Sequence, residues 1–84
     1  MKSGEVLRKQ VFEIIDNQLK ANDPPETKLT YDRLRKKGFN DYQTKQYIGQ
    51  CVIVELFDVL KDGKSFDNER YVRNLQALPK EPFD

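Results

Sequence analysis

The stretch NDYQTKQYIGQCVIVELFDVLKDG, residues 40–63, decides the fold because it predicts one long helix at the centre of the protein. Asn40 can cap the start of this helix, with the Gln43 side chain reaching back to it, and Gly63 is a helix-ending signal. The run CVIVELF has the β-branched content of a strand, but no breaker separates it from Asn40, and one strand would lack a partner. We therefore predict a helix from Asn40 to about Lys61.

Side chains of this third helix divide into two faces when they are placed at 100° per residue. An apolar arc predicts the buried face, and polar side chains lie mostly opposite. Tyr47 and Val54 fall on the polar side, so we expect both to be exposed. Gly49, in mid-helix, predicts a tight crossing with another helix, because glycine there otherwise costs about 1 kcal/mol. The predicted buried side chains are Ile48, Val52, Ile53, Leu56, Phe57, Val59 and Leu60, and those opposite are Thr44, Gln50, Cys51, Glu55, Asp58 and Asp62.

Two shorter helices are predicted before this one. The first runs from about Ser3 to Leu19, with apolar side chains recurring on one face. The second is capped by Asp23, where Glu26 can complete a capping box, and continues to about Lys37. The apolar faces comprise Leu7, Val11, Ile14, Ile15 and Leu19 in the first helix, and Tyr31 and Leu34 with Thr27 and Thr30 in the second.

A fourth helix is predicted to begin at Asp67. Phe66 and Tyr71 have the spacing of a hydrophobic staple across its start, and Pro79 ends it. Residues 80–84 are predicted to form a loose tail. Because the connecting loops are short, the sequence predicts an all-α protein: a small four-helix bundle with mostly antiparallel neighbours and a long central third helix, in a single domain over residues 1–84.

Composition narrows the possible functions. The 84-residue chain has a formal charge of +1, which provides no overall attraction to nucleic acid or to an acidic membrane surface. Histidine is absent, so the commonest acid–base residue and metal ligand is missing. Cys51 is the single cysteine, and a free thiol fits a reducing compartment. No apolar segment after Lys2 resembles a signal peptide, and we therefore expect a cytoplasmic location.

Three segments resemble a family of uncharacterised small bacterial helical domains. They are DNQLKANDPPET, RLRKKGFN and IGQCVIVELFDVLKDGKSFDNERYVRNLQALP, and the resemblance extends over about residues 6–79. The loop NDPPE, the glycine after the second helix and the stretch FDNERYVRNL are its most specific parts. The resemblance implies a helical fold, and it implies no activity because none is assigned to the family.

Members of that family often have histidines four residues apart in the first helix and a His-Glu-x-x-His-like pattern at the start of the third. Here the corresponding positions hold Arg8 and Phe12, and then Tyr42, Gln43 and Gln46. These side chains do not replace imidazole and carboxylate as metal ligands. The resemblance therefore implies a metal site that has been lost, and we expect no metal. Arg8, Tyr42 and Gln46 are instead predicted to form a polar cluster between the two helices.

A basic run near the end of the second helix is a candidate nucleic-acid surface. It contains Arg33, Arg35, Lys36 and Lys37. The alternative is a solvated helix face whose cations lie at the negative end of the helix dipole, and we favour this alternative. A helix-turn-helix with Gly38 in its turn fits poorly, because the third helix is too long and too apolar for a recognition helix.

No arrangement of residues indicates catalysis. Glu55 and Asp58 lie one turn apart, but an exposed helix face has the same pattern. Cys51 has acidic neighbours that would raise the pKa of its thiol, and we predict that it only packs. The chain is therefore interpreted as a non-enzymatic cytoplasmic module, without cofactor, that binds another protein or a second copy of itself through helices one and three. Tyr47 and Val54 are the candidate contacts. The alternative is a nucleic-acid accessory protein that uses the Arg33–Lys37 surface, and a remote alternative is the degenerate metal-binding domain.

Overall fold

The computed structural model describes residues 3–83 and contains four helices. They are α1 (Ser3–Ala21), α2 (Pro25–Lys36), α3 (Asp41–Asp62) and α4 (Asn68–Ala77). No strand occurs among these residues. The predicted all-α fold, a small four-helix bundle with a long third helix, is thus confirmed. None of the described helices is both long and apolar enough to span a lipid bilayer.

Local capping signals define the ends of α3 and the start of α4. The Asn40 side chain accepts a hydrogen bond from the Gln43 backbone N–H at 2.8 Å, and the Gln43 side chain accepts one from the Asn40 N–H at 3.0 Å. Gly63 ends α3 with a φ of +65°, in the left-handed region that glycine adopts without strain. The Asp67 carboxylate caps α4 by accepting from the Arg70 N–H at 3.1 Å. These capping predictions are confirmed.

The predicted cap of α2 is wrong. The capping residue is Pro24, and no side chain makes a cap hydrogen bond there. Asp23 instead closes the turn after α1, because its N–H donates to the Gln18 carbonyl at 3.1 Å. With Asp23 held by the end of α1, α2 starts one residue later than a capping box with Glu26 would require.

The buried face of α3 also differs from the prediction. Ile48 and Val52 are buried as expected, whereas Phe57 is 60% exposed and Leu60 is 79% exposed. Glu55 can be fully buried because its carboxylate accepts hydrogen bonds from α4 and from the residue that caps it. The buried face of α3 is therefore rotated about the helix axis relative to the face predicted from the 100° spacing of its side chains. The buried residues of α3 are Thr44, Ile48, Gly49, Cys51, Val52 and Glu55.

The helices α1 and α3 cross closely and run antiparallel. A Cβ atom added to Gly49 would lie 3.1 Å from Val11 Cγ1, which confirms the predicted tight crossing. Towards the other end of α1, Asp16 pairs with Lys45 at 2.9 Å. Residue numbers therefore rise along α1 as they fall along α3.

In contrast, α2 and α4 run parallel to each other. Thr27 near the start of α2 lies 3.5 Å from the Tyr71 hydroxyl near the start of α4, and Arg33 bonds the Leu75 and Leu78 carbonyls at the end of α4. This pair is an exception to the predicted antiparallel neighbours. The buried apolar core comprises Val11, Ile15, Leu34, Ile48, Cys51, Val52, Tyr71, Leu75 and Leu78.

Candidate binding groove

An open groove with a volume of about 570 Å³ lies between α1 and α3. This volume is within the range of cavities that bind ligands or peptide side chains. α1 contributes its first three turns, α3 contributes its first half, and two further residues come from outside these helices. The lining residues are Gly4, Leu7, Arg8, Val11 and Phe12 from α1; Gln43, Gln46, Tyr47, Gly49, Gln50 and Ile53 from α3; and Phe39 and Glu81.

The two sides of the groove follow from the contacts of α3. Gly49 and Tyr47 point about 160° apart on the helix. On the Gly49 side α3 packs against Val11 of α1. On the Tyr47 side it meets Phe39, with the two ring centroids 5.1 Å apart in an edge-to-face arrangement. The arc between these two contacts forms the floor of the groove.

Glutamines dominate this floor. Gln46 and Gln50 both line it and point between the two sides. The Oε1 atom of Gln50 is buried and has no hydrogen-bond partner among the described residues. A buried acceptor without a partner is uncommon and costs stability, and because this atom is shielded from solvent, a bound molecule reaches it only when the Gln50 side chain turns towards the groove.

The predicted polar cluster of Arg8, Tyr42 and Gln46 is not formed. The Arg8 side chain is exposed, and within residues 3–83 it makes no hydrogen bond or ion pair. The Tyr42 ring instead packs edge-to-face against Phe12, with centroids 5.6 Å apart. An aromatic contact thus joins the two helices where the cluster was expected, and the Arg8 guanidinium stays in water, where it keeps its hydration.

Histidine, cysteine and carboxylate side chains form no group of three or more able to hold a metal ion within residues 3–83.

Beyond the groove, the outer face of α3 continues as a ridge formed by Phe57 and Leu60. Ile53, at the end of the groove, is one turn before Phe57 on the same face. Sequence reasoning assigned both ridge residues to the core because apolar side chains usually lie there. Tyr47 and Val54 were proposed as exposed contacts, but both side chains are half-buried. Tyr47 lines the groove, and Val54 does not.

The basic run does not form one continuous free surface. Arg33 donates to the Leu78 carbonyl at 2.7 Å and to the Leu75 carbonyl at 3.0 Å, and so caps the end of α4. Arg35 donates to the Tyr31 hydroxyl at 3.0 Å and lies 5.8 Å from the centre of that ring. Lys36 and Lys37 are exposed. Two of the four cations are therefore occupied within the protein.

Glu55 and Asp58, the possible acid–base pair, belong to an ion network. The Arg70 Nε donates to Glu55 Oε2 at 2.7 Å, and the Arg70 guanidinium also pairs with Asp58. The hydrogen bond from Arg70 holds the pKa of Asp58 below its usual value, and both carboxylates raise the pKa of Arg70. The network joins α3 to α4, and both carboxylates are engaged by the Arg70 guanidinium.

Cys51 packs in the core, as predicted. Its thiol is buried, and burial together with the nearby Glu55 charge raises its pKa to about 12. Such a thiol is almost entirely protonated near neutral pH and is therefore a poor nucleophile and a poor metal ligand.

Comparison with known proteins finds no relative. No family model matches this chain, and neither the curated proteins nor the solved structures contain a match. The resemblance to a bacterial family of helical domains therefore stays a prediction.

Proposed function

We propose that this protein is a non-enzymatic interaction module that binds a protein segment in the groove between α1 and α3. The observation that supports this proposal is the groove itself, which has a mixed polar and apolar lining and continues into the exposed ridge of Phe57 and Leu60. A groove of this kind, which extends along one helix into an apolar ridge, suits an amphipathic helix whose apolar side chains recur at intervals of three and four residues.

The chemistry of the lining agrees with a peptide rather than with a reactive substrate. The sides combine the apolar Val11, Phe12 and Phe39 with the charged Arg8 and Glu81, and the floor offers the amides of Gln46 and Gln50. Apolar sides favour side-chain burial, and amides pair with polar groups without requiring a charge. Neither a nucleophile nor a cluster of acid–base groups lines the groove. We place the module in the cytoplasm, in keeping with the free thiol of Cys51.

The alternative function, an accessory role on nucleic acid, has less support. It requires a basic surface near the end of α2, but Arg33 and Arg35 are engaged with α4 and Tyr31. Lys36 and Lys37 alone would neutralise few phosphates, so binding to nucleic acid through them would be weak.

The test is capture of partners on the tagged protein from a lysate of its own cells, at low and at high salt and with nuclease. Three versions are compared: the natural sequence, Gln46→Arg and Leu29→Ser. Gln46→Arg puts a long charged side chain on the floor of the groove, where Gln46 is exposed. Leu29→Ser is the matched control, because Leu29 is 67% exposed on α2 and does not line the groove.

We expect a protein, which can be the chain itself, to be captured in high salt after nuclease, because apolar burial is not screened by ions. Gln46→Arg should abolish this capture and Leu29→Ser should preserve it. Capture that depends on nucleic acid and vanishes in high salt would replace the proposal with the alternative function. Capture that Gln46→Arg leaves unchanged would show that the groove is not the binding site.

A further inference from the structure

The outer face of α3 has a regular seam that extends through both the groove and the ridge. Its residues follow one another at alternating intervals of three and four, the spacing of a seam at which helices pair. The stripe points away from the buried side chains of the same helix, such as Ile48 and Glu55. This outer seam consists of Gln43, Gln46, Gln50, Ile53, Phe57 and Leu60.

The two halves of the outer seam have opposite shapes. In the first half Gln46 and Gln50 lie at the bottom of the groove, between α1 and the Phe39 ring. In the second half Phe57 and Leu60 project into solvent, 60% and 79% exposed. One face of the molecule therefore offers both a hollow, whose lining includes apolar side chains such as Val11, Phe12 and Phe39, and an apolar projection that a hollow could bury.

We propose that a second copy of this chain occupies the groove, in a two-fold dimer whose α3 helices run antiparallel along the outer seam. This inference rests on the proposed binding role of the groove and names its occupant. A two-fold axis between Gln50 and Ile53 brings the ridge of each copy into the groove of the other. In this register Phe57 of one copy faces Gln46 of the other, and Ile53 faces Gln50.

Shape selects this arrangement. A two-fold interface uses the same patch on both copies, so that patch must be complementary to itself. Antiparallel α3 helices satisfy this requirement because the ridge of each copy meets the groove of the other. If the two α3 helices ran parallel, the grooves would face each other and stay unfilled, while the two ridges would collide.

The polar groups of the seam also fit a second copy. The Gln50 side chains of the two copies lie on either side of the two-fold axis, about 4.5 Å apart along the helices. The Gln50 Oε1 atom is shielded within a single copy, so the Gln50 amide has to turn outward before its oxygen can accept a hydrogen bond from the amide N–H of the other copy. The outer seam itself contains no charged residue, the groove that receives the ridge has one residue of each sign, Arg8 and Glu81, and the net charge of +1 adds little repulsion between copies.

The contact is also long enough for a stable dimer. The outer seam covers 18 residues of α3, from Gln43 to Leu60, which corresponds to about 27 Å of helix. The two-fold axis repeats every ridge-in-groove contact, and the α1 helices flank the pair on one side. A helix pair of this length with flanking contacts approaches the roughly 800 Å² per partner that specific interfaces bury.

Sedimentation equilibrium of the purified full chain, from micromolar to near-millimolar concentration, tests the proposal. We expect a species of twice the 9.9 kDa chain mass that persists at high salt. Phe57→Ser should weaken the dimer at least tenfold, because it removes the ring that enters the groove. Leu29→Ser, a change of an equally exposed apolar residue outside the seam, should leave it unchanged. A monomer at every concentration, or a dimer insensitive to Phe57→Ser, would overturn the proposal.

The register has a separate test. Chains with Gln43→Cys are mixed with chains with Lys61→Cys, a pair that keeps Phe57 and Leu60 in place, and treated with a short bismaleimide. The antiparallel register puts these two positions next to each other and predicts a mixed cross-linked dimer with little cross-linking within either unmixed sample, whereas parallel helices would join Lys61→Cys chains to each other. The buried Cys51 thiol does not interfere, and the natural chain is the blank.

The two proposals fail in different ways. If the pure protein is monomeric but Gln46→Arg still abolishes capture from lysate, the groove binds another protein and the dimer is wrong. If the pure protein forms the cross-linked dimer and only its own chain is captured, both proposals stand and the occupant is a second copy. A monomer that captures nothing contradicts both.

Discussion

Gly49 allows α1 and α3 to approach because it has no side chain. An added Cβ would be 3.1 Å from Val11 Cγ1, and the branched side chain of Val11 is buried and has little freedom to move. Alanine in a helix is favoured over glycine by about 1 kcal/mol, whereas overfilling a packed crossing costs about 1–3 kcal/mol. Gly49→Ala should therefore lower the free energy of unfolding, by about 1 kcal/mol, in urea titrations.

The control for this prediction is the same substitution in a Val11→Ala background. There the neighbouring methyl group is gone, and Gly49→Ala should raise the free energy of unfolding instead. A stabilising effect of equal size in both backgrounds would mean that the crossing is not tight.

Cys51 makes stability depend on alkaline pH. Its pKa is raised from 9.0 to about 12 in the folded protein, so above pH 9.0 the unfolded chain loses the thiol proton before the folded one does. The contribution is complete below the unfolded pKa and is lost as pH rises towards the folded pKa. Between pH 9 and 10 the free energy of unfolding should fall by roughly 1 kcal/mol through this group.

Cys51→Ala should remove most of that fall, as measured by urea titration at a series of pH values. Tyr71, whose pKa burial raises from 10.0 to about 12, adds a similar loss only above pH 10 and remains in the variant. An unchanged slope between pH 9 and 10 in Cys51→Ala would assign the effect to other groups.

At the scale of the helix, local sequence determines where α3 begins and ends, but it does not determine which face of α3 is buried. Its ends were predictable because the Asn40 capping box and the Gly63 turn involve neighbours in sequence. Its orientation was not, because Glu55 is buried only through Asp67 and Arg70, which lie 12 and 15 residues further along the chain. A prediction from the helical pattern alone counts Glu55 as polar, places it on the exposed face and so assigns the wrong face of α3 to the core.

The same reasoning explains what was missed at the groove. A groove depends on where α1 and Phe39 meet α3, and that information is not present in the pattern of one helix. The alternating spacing from Gln43 to Leu60 was visible in the sequence, but its glutamine half lacks the apolar signal of a seam. Gly49 was the one residue that local reasoning tied correctly to a helix crossing.

The ion network between α3 and α4 leads to a prediction at the same scale. Glu55 accepts from the Asp67 N–H at 2.9 Å and twice from Arg70, and all of these bonds need an acceptor. Glu55→Gln replaces one carboxylate oxygen with an amide donor that faces donors. It should lower the free energy of unfolding by about 2 kcal/mol, measured in urea.

Arg70→Met provides the comparison. Without the guanidinium, Glu55→Gln removes a buried and partly unpaired charge, so its cost should shrink or reverse. Equal costs in both backgrounds would show that Glu55 and Arg70 do not act together.

For the whole molecule, small size makes association important. A chain of 84 residues buries about 60–65% of the surface of its unfolded form, which leaves a narrow margin of stability. Large apolar side chains such as Phe57 and Leu60 remain outside the core of a single copy. Burial of the ridge in a second copy would increase the margin, because any partner that binds only the folded form stabilises it.

Thermal stability should therefore depend on protein concentration. If folding and dimer formation are linked, each tenfold increase in concentration should raise Tm by about 3–5 °C. Scanning calorimetry of the natural chain over a hundredfold range measures this shift. In Phe57→Ser, Tm should be lower at high concentration and nearly independent of it, whereas Leu29→Ser should behave like the natural chain. The two substitutions remove similar amounts of exposed apolar surface, so a difference between them isolates the ridge, and a concentration-independent Tm in all three proteins would mean that a single copy unfolds on its own.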